Sequence, residues 1–246
     1  MAEFTGVDER VGKYVFIPGS VERAGLIASH LDNPVHQSSH RDFSWYTANL
    51  GGVSVSVVST GIGECSTSIA VEELAHFGAT TFLRIGSCAS ASPECGKGDV
   101  VVASGAVRME GASFAYLPAS SPCLPDYHFM RLLCTATRLR GFHLICGVTI
   151  TKDSFHTEVN PQDKPVGMDL EEEWNAFIAS GASSSSMEEA VLFAMGRCLG
   201  LRVASIAICA TNFGKVSNEY PGDWENRAIV AGVDAMAMMI KEDTDG

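Results

Sequence analysis

Glycine and arginine recur where apolar runs end, and that pairing can bind an oxyanion. Arg84 sits within Phe82-Leu83-Arg84-Ile85-Gly86-Ser87, inside an apolar run. A buried guanidinium needs an anionic partner, because removing it from water unpaired is costly. A structural carboxylate or a bound oxyanion would serve. The Gly-Ser that follows adds an approachable backbone and a hydroxyl donor, which suits an oxyanion. Pro18-Gly19-Ser20-Val21-Glu22-Arg23 follows a second apolar run and opens a helical segment. Backbone amides at such a turn can hold an anion, with Arg23 about one turn in. An ordinary turn with a surface arginine explains the same residues. Arg41, in Ser39-His40-Arg41-Asp42-Phe43, reads by itself as a surface residue beside Asp42. Met187-Glu188-Glu189-Ala190 follows four serines. A carboxylate at a helix start is stabilised by the helix dipole; in a cleft, Glu188 could instead accept two sugar hydroxyls.

The elements that must position these residues alternate. Residues 14–18 read as a short buried strand, followed by a helix near 21–31. Residues 43–49 and 53–59 are β-rich runs joined by Gly51-Gly52, a hairpin signal. A helix near 66–77 precedes strands at 80–86 and 99–107. Then come a helix near 126–140, a strand near 143–151 and helices near 171–180 and 188–199. A strand at 202–211 and a helix at 224–241 close the chain. The serine run, Ser183 to Ser186, reads as a strand-to-helix connection. This pattern implies an α/β fold: a single domain over residues 1–246, with a central mixed β-sheet flanked by helices on both faces.

Other chemistries lack their residues. There is no P-loop lysine motif, no GxSxG elbow, no HExxH and no EF-hand, and Gly61-x-Gly63 lacks the third glycine of a dinucleotide fingerprint. The formal net charge of -12 opposes nucleic acid and anionic membranes as partners. No apolar stretch approaches the roughly 20 residues of a membrane span, and the N-terminus has no signal pattern. The eight cysteines show no CxxC or zinc spacing. They read as buried, reduced thiols, which implies an intracellular, cytoplasmic location.

Taken in order, these segments resemble the nucleoside phosphorylase family, hexameric type, and most closely its uridine phosphorylase branch. The resemblance rests on IPGSVERA, SHRDFSWYTANL, STGIGECSTSIAVEELAHFGATTFLRIGS, GDVVVASGAVRMEGAS, KDSF at 152–155 and SMEEA at 186–190, and it spans nearly the whole chain. It implies that Gly19, Arg23, Arg84 and Ser87 hold phosphate, with Arg41 reaching the same phosphate from a neighbouring subunit. Glu188 would bind the ribose hydroxyls, with Met187 packed on the sugar and Arg84 and Glu188 central to catalysis. Phe155 would stack on the base, with Cys88 and Ala89 lining its pocket and Phe213 at the same end. The resemblance implies a homodimer as the minimal active unit, assembled into a hexamer, and a nucleoside and inorganic phosphate as substrates. It implies no resident cofactor. Asp42, Ile62 and Ser66 match positions where some relatives hold a monovalent cation such as potassium.

The implied reaction is phosphorolysis of uridine or a related pyrimidine nucleoside. The alternatives are a purine nucleoside phosphorylase and a non-catalytic binding homologue. Four departures bear on that choice. Ser186 stands where the family has the first glutamate of Glu-Met-Glu, and Ala89 replaces a glycine. Val159 and Pro161 occupy the places of the glutamine and arginine that read uracil in the uridine branch. Phe213 matches neither the aspartate of purine-specific relatives nor the arginine of uridine relatives.

Overall fold

Alternating apolar residues build a sheet with two buried faces. The structure is a computed structural model and describes residues 2–213 and 223–245. Its elements, in chain order, are β1 (Tyr14–Phe16), α1 (Val21–Ala28), β2 (Asp32–His40), β3 (Phe43–Leu50), β4 (Val53–Val58), α2 (Glu64–His76), β5 (Thr81–Ser90), β6 (Val100–Met109), α3 (Tyr127–Leu139), β7 (Leu144–Lys152), α4 (Phe155–Val159), α5 (Gly167–Ala179), β8 (Ala182–Ser186), α6 (Glu189–Leu199), β9 (Arg202–Cys209) and α7 (Trp224–Asp245).

The strands form one mixed sheet in the order β2-β3-β4-β1-β5-β8-β7-β6-β9, with a further pairing of β5 to β9. That pairing closes β5, β8, β7, β6 and β9 into a ring. Side chains alternate across the sheet. Tyr14, Phe16, Leu83 and Ile85 face α1, α3 and α7, whereas Val15, Ile17 and Phe82 face α2 and α6. The expected mixed α/β sheet with helices on both faces is therefore present. The β3–β4 hairpin turns on Gly51 and Gly52, whose φ of 60° and 82° is the backbone a two-residue turn requires.

The sequence reading needs three corrections. Residues 183–186 are not a connection: Ala182–Ser186 is a wholly buried strand, paired with β5 and β7. The low β-propensity of serine is overridden because each hydroxyl finds a partner. Ser183 donates to the Val148 carbonyl at 3.1 Å, and Ser184 pairs with Thr149 at 2.7 Å. Second, Asp32–His40 is a nine-residue strand that the sequence reading did not find. It lies at the sheet edge, where exposed polar residues and Pro34 are tolerated. Third, the thiols are not all buried. All eight are unpaired, but Cys65, Cys146 and Cys198 are exposed. Cys146 lies in an apolar run whose strand leaves that residue facing outward.

Among the described residues no helix is long and apolar enough to cross a membrane.

Candidate active site

A cavity of about 480 Å³ gathers residues at or just beyond the carboxyl ends of β1, β4, β5, β7, β8 and β9. Strand carboxyl ends are where α/β sheets bind ligands. Gly19 and Ser20 come from the β1–α1 turn, Arg23 from the first turn of α1, Ile62 from the segment after β4, and Arg84, Ser87, Cys88 and Ala89 from β5. Phe155 comes from α4, and Met187 and Glu188 from the β8–α6 junction. The arginine, glycine, serine and glutamate set expected around phosphate and ribose thus shares one cavity, whereas Arg41, Asp42, Ser66 and Phe213 do not line it.

Arg84 is the best-held charge in it. The side chain is buried, and Nη1 donates to Glu189 Oε1 at 2.8 Å while Nη2 donates to Glu188 Oε2. Burial alone would lower its pKa; the two carboxylates outweigh that and hold it above the usual arginine range. Of the two partners considered for Arg84, the structural carboxylates are thus present. They occupy two of its five N–H donors. The guanidinium folds back over Gly86, where a Cβ would overlap its nitrogen and carbon atoms. The glycine of Arg-Ile-Gly-Ser makes room for the arginine.

Glu188 stands at the start of α6 but does not cap it through its side chain. Its Oε1 accepts from the Gly63 backbone at 2.8 Å and its Oε2 from Arg84. Glu189 accepts from Arg84, from Ser205 at 2.8 Å and from Ser186. Ser186 is thus hydrogen-bonded to a carboxylate three residues later. The sequence reading gave Glu189 no role; the Ser186/Glu189 pairing across one helical turn was the available signal.

Arg23 follows the Ser20 cap of α1, whose Oγ accepts from the Arg23 backbone at 3.2 Å. Its side chain is mostly buried, 3.7 Å from Glu225. Burial lowers its pKa and the Arg84 charge lowers it further, against the pull of Glu225 and Glu188.

Arg41 is exposed at the β2–β3 turn, with φ 55° and its guanidinium 5.4 Å over the Phe4 ring. It does not line this chain's cavity. Asp42 and Ser66 both lie against Gly61, while Ile62 is 79% exposed. The Asp42 carbonyl accepts from Ser59 Oγ at 2.7 Å, and Ser66 Oγ donates to the Thr60 carbonyl. Phe213 is exposed and stands outside the cavity lining.

The sequence reading also missed Lys152, Ser185 and Thr211, which line the same cavity. Lys152 is buried at the end of β7, where its Nζ contacts Glu158 and Ser185. The signal was a lysine ending the apolar strand TITK.

The Phosphorylase superfamily model matches residues 13–238. The chain is 36% identical over 238 residues to the uridine phosphorylase of Treponema pallidum, covering 95% of this chain and 92% of that protein. It is 40% identical over 197 residues to the uridine phosphorylase of Klebsiella aerogenes, covering 78% and 77%. It is 32% identical over 212 residues to the guanosine phosphorylase of Halorubrum lacusprofundi, covering 86% and 83%.

Proposed function

The chain belongs to the phosphorylase superfamily, and from that premise we propose that it is a pentosyltransferase that splits a nucleoside with phosphate, giving free base and ribose 1-phosphate. Uridine or a related pyrimidine nucleoside is the favoured substrate. The observation that carries this reading is the junction of Arg84 and Glu188 in one cavity with Gly19, Arg23 and Ser87.

Phosphate is itself the nucleophile, so no activated serine or cysteine is required. Gly19, Arg23, Arg84 and Ser87 hold it beside C1′ of the sugar, and positioning supplies much of the rate. Glu188 accepts the ribose hydroxyls, and Met187 packs on the ring. As the C1′–N bond breaks, its electron pair leaves with the base and positive charge develops on the sugar. The fixed Glu188 carboxylate stabilises that charge. Phe155, Cys88 and Ala89 flank the base, and Phe213 belongs to the same end.

Arg41 completes the phosphate site from a neighbouring subunit, so a homodimer is the minimal active unit and a hexamer the assembly. No resident cofactor takes part. Asp42, Ile62 and Ser66 are the positions that would hold a monovalent cation such as potassium, and Asp42 and Ser66 both lie against Gly61. The unpaired cysteines support a reducing, cytoplasmic location.

Similarity to a guanosine phosphorylase carries a second reading, a purine nucleoside phosphorylase. Incubation with uridine, thymidine, inosine, guanosine and adenosine, with and without phosphate, separates the two by which nucleoside yields ribose 1-phosphate. Absence of phosphate-dependent product from all five would leave a non-catalytic binding homologue.

A further inference from the structure

We propose that Lys152, held by Glu158 and Ser185, reads the nucleobase and stabilises it as it leaves, so that the preferred base is one with a lactam edge, –NH–C(=O)–, as in uracil. This rests on the phosphorolysis reading above.

Three elements converge on Lys152. It ends β7, Ser185 lies on β8 and Glu158 on α4. Lys152 Nζ is paired with Glu158 and donates to Ser185 Oγ, and Ser185 Oγ donates to Glu158 at 2.7 Å. The ammonium also sits 5.8 Å over the Trp174 ring. A tie between a strand and a short helix would account for these contacts. It does not account for their place, since Lys152 and Ser185 line the cavity that holds Arg84, Phe155 and Glu188. Lys152 also lines the adjoining cavity of about 220 Å³, with Glu158 and Trp174.

Two nearby positions offer nothing polar in their place. Val159 and Pro161 stand where the uridine branch has an amide and a guanidinium. Their side chains have no hydrogen-bonding atoms. Lys152 and Ser185 are buried polar groups at this end, with Glu158 partly buried beside them in the adjoining cavity. An ammonium has three N–H donors. Glu158 and Ser185 take two of them, and the third remains for a carbonyl oxygen of the base. Glu158 only accepts, and matches the adjacent ring N–H. A donor beside an acceptor is the complement of a lactam edge.

The same arrangement serves the chemistry. When the C1′–N bond breaks, the electron pair passes to the base nitrogen and delocalises onto the carbonyl oxygens. A phosphate oxygen forms the new bond to C1′, and the base anion later takes a proton from water. A fixed ammonium at a carbonyl, away from bulk water, stabilises that charge as it develops.

The test compares uridine with 5-fluorouridine, whose more acidic base leaves more readily. In Lys152→Met, kcat/KM for uridine should fall ~100-fold, the scale of one lost transition-state donor. The loss for 5-fluorouridine should be several-fold smaller, with KM for phosphate unchanged and Lys152→Arg recovering part of the rate. An equal loss on both nucleosides, or a loss expressed in phosphate KM, would overturn the proposal. If Lys152→Met does not fold, the same ratio is read in Ser185→Ala and Lys152→Arg, and an unchanged ratio in both overturns it. A wild-type protein that splits neither nucleoside with phosphate refutes the phosphorolysis reading instead.

Discussion

Arg84 shows how one residue's neighbours decide its use. Its guanidinium occupies the space that Gly86 leaves free, between Glu188 and Glu189. In Gly86→Ala the new methyl group displaces it. Phosphate KM should then rise ~10–100-fold, as expected when a binding group is misplaced by about an ångström. Steady-state kinetics at saturating nucleoside would check this; an unchanged phosphate KM would remove Arg84 from the phosphate site. Arg84→Ala should be harsher, costing about 3–5 kcal/mol of stability, because two buried carboxylates lose their cation. Glu64 is the other residue whose state depends on surroundings. It is buried at the start of α2, and its Oε1 accepts from the Val191 backbone at 3.1 Å. Its Oε2 accepts no hydrogen bond. Burial, and then the Glu110 carboxyl, push its pKa up to about 11, so at neutral pH Glu64 keeps its proton. Below the unfolded value of 4.5 both states are protonated and nothing is lost. Above it only the unfolded chain releases the proton, so stability falls as pH rises. Glu64→Gln removes that dependence. Its stability gain should widen from pH 5 to pH 8, by up to about 1.4 kcal/mol per pH unit, in urea unfolding series. A gain independent of pH would show that Glu64 is ionised. The sequence made Arg84 conspicuous, as a charge in an apolar run. It could not mark Glu64, because its burial depends on α6, more than a hundred residues away.

At the scale of elements, strand β8 separates what local pattern reveals from what tertiary pairing decides. The apolar strands β1, β3, β4, β5 and β9 were legible, because short runs of apolar and β-branched residues bounded by turn residues are written in the side chains themselves. Ser183–Ser186 is no such run, and four serines in a row have the composition of a loop. They form a strand because β5 and β7 supply its backbone partners, and Thr149, Lys152, Glu158 and Glu189 supply partners for its hydroxyls. The edge strand β2 was missed for the opposite reason: it is polar because one of its sides has no neighbour. The dependence of β8 on hydroxyl pairing can be measured. Ser184 is fully buried and faces the buried Thr149 hydroxyl. Ser184→Ala leaves Thr149 unsatisfied and should cost about 1–3 kcal/mol. The double variant Ser184→Ala, Thr149→Val should recover much of it. Thermal unfolding of the two single variants and the double forms a cycle; strictly additive losses would mean that the pair contributes nothing.

At the scale of the whole molecule, charge balance bears on the proposal that a second subunit completes the site. The protein carries -12 overall. Within the cavity the charges of Arg23 and Arg84 are matched by Glu188 and Glu189, with Glu225 beside Arg23. Lys152 is matched by Glu158. A phosphate dianion would therefore enter a neutral or slightly negative pocket, which is an unfavourable place to concentrate an anion. Arg41 projects from the β2–β3 turn, outside this cavity and paired with the Phe4 ring rather than with a carboxylate. Supplied by a second subunit, it adds the positive charge that the pocket lacks. The expected consequence is complementation. Arg41→Ala and Glu188→Gln proteins should each be nearly inactive with phosphate. Dissociated and reassembled together, they form mixed pairs in which one of the two sites carries neither substitution. Random exchange in a two-fold assembly then restores ~25% of wild-type activity. Activity of the mixture no greater than that of the separate variants, with subunit exchange verified by native mass spectrometry, would place Arg41 outside the site. Activity retained by Arg41→Ala alone would do the same, and would leave the pocket of a single chain to bind phosphate through backbone donors and uncommitted guanidinium protons.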